Sequence, residues 1–316
     1  MIRVVVCSRS FSRHPVLRQE LRDRHPDTTF NDEGRVLAGE ELIRFLKGHE
    51  KAITALETLD AGLFAAVPEL TAVSKYGVGC DTIDLDAMAK AGVRLGWTGG
   101  TNRRSVSELV ISFAVQLLRH LSQARAEVLD GVWRQHVGRQ LSERTVGIVG
   151  CGHVGKDLGR LLRAFGCKVL AHDILDFPDF YAENGIEPAG LEELLRQSDV
   201  VTLHLPLNET TASILSAERL ALMKPDAVLI NTARGGLVDE EALKGALKDG
   251  RLLGAAFDVF ATEPPEDSDL LNLPNFIVSP HIGGSAEEAV LSMGRVAIEG
   301  LEKNQIPERG VFPDNY

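Results

Sequence analysis

The chain has 316 residues, 44% of them hydrophobic and 25% charged, with a formal charge of −11 at pH 7; it is long enough for two domains, and its composition is that of an ordinary globular protein. This acidity argues against a nucleic-acid surface, which needs clustered Lys and Arg, and no run of about eighteen apolar residues is present to cross a membrane. Cys7, Cys80, Cys151 and Cys167 have neither metal-ligand nor disulfide-framework spacing, so the expectation is free thiols in a reducing, cytoplasmic setting and no metal site.

The opening MIRVVVCSRSF reads as a first strand rather than a signal peptide. Up to about residue 97, strands are predicted at 3–6, 52–56, 72–76 and 93–95, alternating with helices at 15–24, 40–47, 62–67 and 85–91, which is the pattern of a parallel α/β layer. TGGTN at 98–102 is the expected crossover. Ser105 then stands as the cap of a long helix, with Glu108 in the capping-box position and an apolar stripe of Val106, Leu109, Val110, Phe113, Leu117 and Leu121.

The stretch 145–173, TVGIVGCGHVGKDLGRLLRAFGCKVLAHD, is strand, glycine turn, helix, strand. Gly150, Gly152 and Gly155 have GxGxxG spacing: the first allows the turn, the second lets backbone approach a pyrophosphate, and the third packs helix on strand. Free N–H groups at the helix start suit the anion. Asp173 ends the second strand at the distance the dinucleotide fingerprint requires, where it would accept ribose hydroxyls and repel a 2′-phosphate, so NAD is expected over NADP. Cys151, inside the turn, reads as a small filler rather than a nucleophile.

Beyond it, helices are predicted at 191–197, 217–223 and 240–248, with strands at 200–203, 227–231, 253–257 and 276–278. A closing helix over 286–303 returns to the first domain. The expected architecture is α/β, two Rossmann-like doubly wound parallel-sheet domains with a cleft between them: a flavodoxin-like substrate domain over 1–99 plus 285–316, and an NAD-binding Rossmann domain over 100–284.

Ligands of open parallel sheets bind beyond the carboxyl ends of the strands, and those ends carry His204 and Pro206; Thr232, Ala233 and Arg234; Asp258 and then Glu263; and His281 followed by Gly283. An Arg, a Glu and a His on one rim are the types that hydride exchange between a hydroxy acid and nicotinamide needs. An imidazole handles the hydroxyl proton, a carboxylate orients and stabilises it, and a guanidinium fork holds the planar substrate carboxylate. His281, Glu263 and Arg234 take those roles. His204 reads as lining the cofactor or as structural, and Asp258 as a partner of the nicotinamide amide or as a strand end.

The blocks KYGVGCDTID (75–84), TNRRSVSE (101–108), GIVGCGHVG (147–155), HLPLNETT (204–211), INTARGGLVDEEAL (230–243), DVFATEPP (258–265) and SPHIGG (279–284) resemble, in order, those of the D-isomer-specific 2-hydroxyacid dehydrogenases, the short 3-phosphoglycerate-dehydrogenase-like members above all. The resemblance implies an Arg, Glu, His catalytic set, here Arg234, Glu263 and His281. It implies that backbone amides of Tyr76, Gly77, Val78 and Gly79 hold the substrate carboxylate near Asn102. NAD would meet His153, Val154, Asp173, His204, Pro206, Thr211, Thr232, Asp258 and His281. It also implies a homodimer joined through the nucleotide domain, for which the Ser105 helix offers a surface, although that helix reads equally as intradomain core.

One departure concerns the substrate. Phosphoglycerate-specific relatives carry an Arg after the strand at 52–56, where this chain has Leu56 and Glu57. A carboxylate repels a phosphate, so 3-phosphoglycerate would need Lys75, Arg103 or Arg104 to supply the charge. The regulatory C-terminal domains of longer relatives are not expected, nor an allosteric serine site. The implied activity is NAD-dependent oxidoreduction of a D-2-hydroxy acid or 2-keto acid; the alternatives are a glyoxylate or hydroxypyruvate reductase, or a non-catalytic NAD(H)-sensing protein.

Overall fold

The computed structural model describes residues 2–308. Two units emerge, 2–102 with 285–308, and 103–284; the end of the expected first domain, 309–316, lies outside the described residues.

The first unit runs β1 (Val4–Val6), α1 (Arg9–Arg13), α2 (Pro15–Arg24), β2 (Thr28–Phe30), α3 (Gly39–Leu46), β3 (Lys51–Thr54), α4 (Ala61–Ala66), β4 (Ala72–Lys75), α5 (Leu85–Lys90) and β5 (Arg94–Gly96). Its five strands are parallel in the order β2-β1-β3-β4-β5. Continuous valine in β1 follows from burial on both faces: Val5 packs with Leu42, Leu46 and Leu63 on one side, and Val4 and Val6 with Leu17, Leu21 and Ile298 on the other. Short β2, TTF, carries a single buried residue, Phe30, and so lacks a periodic signal. Ser8 caps α1, its Oγ accepting from Phe11 N at 3.3 Å.

The second unit runs α6 (Arg103–Leu118), α7 (Leu121–Leu129), β6 (Thr145–Val149), α8 (His153–Ala164), β7 (Lys168–His172), α9 (Pro178–Asn184), β8 (Glu187–Pro188), α10 (Leu191–Gln197), β9 (Val200–Leu203), α11 (Ala217–Leu220), β10 (Val228–Asn231), α12 (Glu240–Lys248), β11 (Gly254–Phe257), α13 (Ser268–Leu271) and β12 (Phe276–Val278). Its seven strands are parallel in the order β12-β11-β10-β9-β6-β7-β8, reversing direction beside β6. Val110, Phe113 and Leu117 of α6 pack with Ile148, Leu158 and Leu162, so the apolar stripe of α6 is core of this unit. The expected cap at Ser105 is not formed: the helix begins at Arg103, and Ser105 Oγ donates instead to Gly283 O at 2.6 Å.

The last helix, α14 (Glu287–Gly300), belongs to the first unit, packing on α2, β4 and β5. Contact is close: a Cβ on Gly96 would lie 2.2 Å from Gly300 O. The chain after α14 then covers the β5 edge, Leu95 N donating to Gln305 O at 2.8 Å. Gly96→Ala should therefore lower the urea midpoint of the first unit, by about 1–3 kcal/mol in stability; an unchanged midpoint would mean that the helix moves aside freely.

Candidate active site

The glycine turn forms as its spacing requires. Gly150 has φ +99, and a Cβ there would come within 2.5 Å of His204 O; one on Gly155 would lie 2.2 Å from Gly150 O. Gly152 is the N-cap of α8 and, with no side chain of its own, leaves the helix start open. His153 and Val154 are the first helical residues. Burial lowers the pKa of His153, and the nearby charges of Arg103 and Lys156 lower it further. Positive potential thus gathers around a helix N-terminus in a chain whose net charge is negative. Asp173 locks the turn: its Oδ2 accepts from Cys151 N at 2.6 Å and its Oδ1 from Leu175 N at 2.9 Å, while Gly150 N donates to His172 O at 2.8 Å. Cys151 is a buried free thiol pushed up to about 11 by burial, inert as a nucleophile.

At the next strand end, His204 N donates to Val149 O at 2.8 Å and its Nε2 pairs with Thr202 Oγ1 at 3.0 Å. Burial pulls the ring down to about 3, so it is neutral. Exposed Pro206 and half-buried Thr211 belong to one self-closed loop, in which Thr211 Oγ1 donates to Pro206 O at 2.7 Å. Thr232, following β10, is the informative residue: its hydroxyl is buried with no hydrogen-bond partner in the structure. A dinucleotide fits this edge on two counts, a cradle that a Cβ on Gly150 or Gly155 would fill and, two strands along the same edge, a buried hydroxyl without a partner.

Asn231, Asp258 and Ser279 shape the rest of the rim, and sequence reasoning gave them less than their due. Buried Asn231 clamps the turn after β10: Ala233 N donates to its Oδ1 at 3.1 Å, and its Nδ2 donates to Arg234 O at 2.8 Å. Arg234 Nη1 in turn donates to Ala233 O at 2.7 Å. The carboxylate of Asp258, 1% exposed, takes the Ser279 hydroxyl and Ile282 N (2.8 Å) on Oδ1 and Gly283 N (2.7 Å) on Oδ2. Its backbone oxygen accepts from His281 N at 2.9 Å. Asp258 is thus the anchor of the 279–283 turn, and the Gly283 amide is engaged by it. A signal did exist: an Asp at the end of a fully apolar strand must be paired.

That turn holds His281 at φ +54 and delivers its Nδ1 to Glu263 Oε2 at 2.9 Å. Glu263 is steadied from behind by Phe260 N, which donates to Oε1 at 3.1 Å. The imidazole is half exposed. Arg234, Glu263 and His281 follow β10, β11 and β12, three adjacent strands, at one edge of one sheet.

In the first unit, Tyr76 is an anchor: its ring packs edge-on against Phe11 at 5.4 Å and its N–H donates to Thr54 O at 2.7 Å. The Tyr76 amide is therefore taken, and the carboxylate-holding set expected at 76–79 narrows to Gly77, Val78 and Gly79, whose N–H groups have no acceptor among the described residues. Trp97 Nε1 fixes this loop by donating to Val78 O at 2.9 Å. Asn102 lies in the turn before α6. Glu57 Oε2 accepts from Ala55 N at 2.6 Å, and buried Lys75 donates from the neighbouring strand end to Ala55 O. Arg104 is engaged bidentately by Asp157, 2.8 Å on each arm.

The fold and this edge define a dinucleotide-dependent α/β oxidoreductase. Residues 111–283 match the model of the D-isomer specific 2-hydroxyacid dehydrogenase NAD binding domain. The chain is 36% identical over 261 residues to a glyoxylate reductase of Korarchaeum cryptofilum, covering 79% of each protein. It is 35% identical over 272 residues to a D-3-phosphoglycerate dehydrogenase of Methanocaldococcus jannaschii, covering 84% of this chain but 52% of that protein, so it spans about half the length of such relatives. The crystal structure of TT0316 protein from Thermus thermophilus superposes with a TM-score of 0.84 at 32% identity, covering 97% of this chain and 99% of that one. The chain belongs to the D-isomer-specific 2-hydroxyacid dehydrogenase family, and its cofactor is NAD.

Neutral His204 gives this unit an acid liability. Folded, it protonates only at about 3; unfolded, near 6.5. Between those values the unfolded chain binds the extra proton, so stability falls as pH drops through that window. His204→Gln should flatten this fall in urea titrations from pH 6.5 toward 3; parallel curves for the two proteins would contradict the assignment.

Proposed function

We propose that this protein interconverts a D-2-hydroxy acid and its 2-keto acid, with residues 100–284 holding NAD and 1–99 with 285–316 serving the substrate. The observation that carries the reading is the Glu263–His281 hydrogen bond at the strand edge that also bears Arg234. Bound NADH supplies a hydride to the substrate C2. His281 Nε2–H gives its proton to the C2 oxygen, and the same atom takes the proton back in oxidation. Glu263 holds Nδ1–H, fixing the orientation and tautomer of the ring. Arg234 pairs with the substrate carboxylate and polarises the C2 carbonyl. The amides of Gly77, Val78 and Gly79 are further donors for that carboxylate. Gly150, Gly152, His153, Val154 and Gly155 take the pyrophosphate, and Asp173 takes the ribose hydroxyls, with lone pairs left beyond the two amides it already accepts. Thr232 donates its otherwise idle hydroxyl to the cofactor, and His204, Pro206, Thr211, Ala233, Asp258 and Gly283 shape the walls.

Glu57 and the burial of Lys75 favour a substrate without a distal phosphate, in the manner of a glyoxylate or hydroxypyruvate reductase rather than a 3-phosphoglycerate enzyme. A purely NAD(H)-sensing role gives no reason for the Glu263–His281 pair. Screening plain and phosphorylated 2-keto acids by NADH absorbance should find the plain acids preferred. His281→Ala should reduce turnover at least about a hundredfold with NADH binding intact; retained turnover would overturn the role of His281, and a phosphorylated favourite that of Glu57.

The protein is read as a cytoplasmic homodimer. The four cysteines are all free, and no helix among the described residues is long and apolar enough to cross a membrane. The dimer surface lies not on α6 but on α7 and the stretch after it, where Leu121, Leu129, Trp133 and Val137 are 55%, 68%, 84% and 95% exposed. Large apolar side chains left exposed within one stretch of chain fit a second copy of it. Sedimentation should give a dimer that Trp133→Arg weakens markedly; a variant as dimeric as the parent would place the interface elsewhere.

A further inference from the structure

Glu240, the first residue of α12, lies outside the set assigned above, yet its side chain turns toward the loop that carries Glu263. Its Oε1 accepts from Ala261 N at 3.3 Å. The preceding amide, Phe260 N, donates to Glu263 Oε1 at 3.1 Å. Two consecutive amides of one turn are therefore held by two carboxylates, one on the reactive side and one behind. The segment after Arg234 presses on the same place: a Cβ on Gly235 would lie 1.9 Å from Phe260 C and 2.2 Å from Ala261 N.

Behind this turn the packing is incomplete. A pocket of about 220 Å³ is lined by Glu240, Phe260, Ala261, Thr262, Glu266 and Asp267, among others. The loop is fixed at its ends, where Asp258 N donates to Asn231 O at 2.9 Å and Asp267 pairs with Lys244 at 2.8 Å. Over the hollow, the Glu240–Ala261 bond braces it. Burial and the nearby Asp267 charge raise the Glu240 pKa, and a carboxyl in either protonation state accepts this N–H.

We propose that Glu240 is a positioning residue for the Glu263–His281 pair: by accepting the Ala261 N–H it holds the 260–263 turn forward, and so keeps the Glu263 carboxylate within hydrogen-bond reach of His281. This rests on the proposed reading of His281 as the proton donor and acceptor. Misplacing a partner by a fraction of an ångström or more lowers turnover while leaving cofactor binding alone. It also takes a carboxylate away from the imidazole.

The experiment compares Glu240→Ala, Glu240→Gln and Glu263→Gln in the full chain, with the best plain 2-keto acid and NADH. Glu240→Ala should lose on the order of tenfold in kcat, bind NADH as the parent does, and show the alkaline limb of the reductive pH profile moved to lower pH, as Glu263→Gln does. Glu240→Gln, which can still accept the Ala261 N–H, should recover most of the turnover and the parental limb. Combining Glu240→Ala with Glu263→Gln should cost little beyond Glu263→Gln alone. A Glu240→Ala protein with parental kcat and pH profile overturns the proposal. So does a Gln variant as impaired as the Ala variant, or one in which NADH affinity falls in parallel with kcat. Failure of the underlying reading is distinct, because His281→Ala would then turn over normally with Glu240 intact.

Discussion

A carboxylate buried under a tight turn governs the reactive edge of this protein. Asp258 sits at the end of a strand, 1% exposed, and takes three donors from the 279–283 segment. Burying that charge unpaired would cost several kcal/mol, so the segment must curl over it to supply the hydrogen bonds. The curl carries His281 into the left-handed region and sets its ring against Glu263. Without Asp258 the imidazole would sit on an unanchored loop of glycines and prolines. With it, the His281–Glu263 hydrogen bond is formed before any ligand binds.

Topology supplies the rest. The order β12-β11-β10-β9-β6-β7-β8 sets the ends of β10, β11 and β12 side by side and opens the sheet beside β6, where strand order reverses and the glycine turn lies. Asp173 and the start of α8 thereby stand on one flank of the edge, and Arg234, Glu263 and His281 on the other. Net charge does not oppose the anionic cofactor, because Arg103 and Lys156 collect locally at the helix start.

Much of this was legible in the residues. A fully apolar strand such as VVV is readable because burial on both faces leaves no polar alternation. The positions of Arg234, Glu263 and His281 beyond three adjacent strands were readable because each follows an apolar run. Other features depend on distant partners. Ser105 has the spacing of a cap, but the helix starts two residues earlier and Gly283 takes its hydroxyl. Asp258 read as a ligand contact or a strand end, since nothing local announces that a segment more than twenty residues later needs its oxygens. Short β2 carries too few apolar residues for a period, and the bracing by Glu240 exists only after α12 and the 260–267 loop are brought together.

The central claim is that this edge presents a preformed Arg, Glu and His set to the reacting end of a bound nicotinamide. A crystal structure of the protein with NADH and oxamate, an unreactive 2-keto acid mimic, tests it most directly. The account predicts pyrophosphate at the start of α8, Asp173 on the ribose hydroxyls, and His281 Nε2 within hydrogen-bond distance of the oxamate oxygen that stands for the C2 carbonyl. A dinucleotide bound away from the glycine turn, or oxamate held with His281 directed elsewhere, would contradict it.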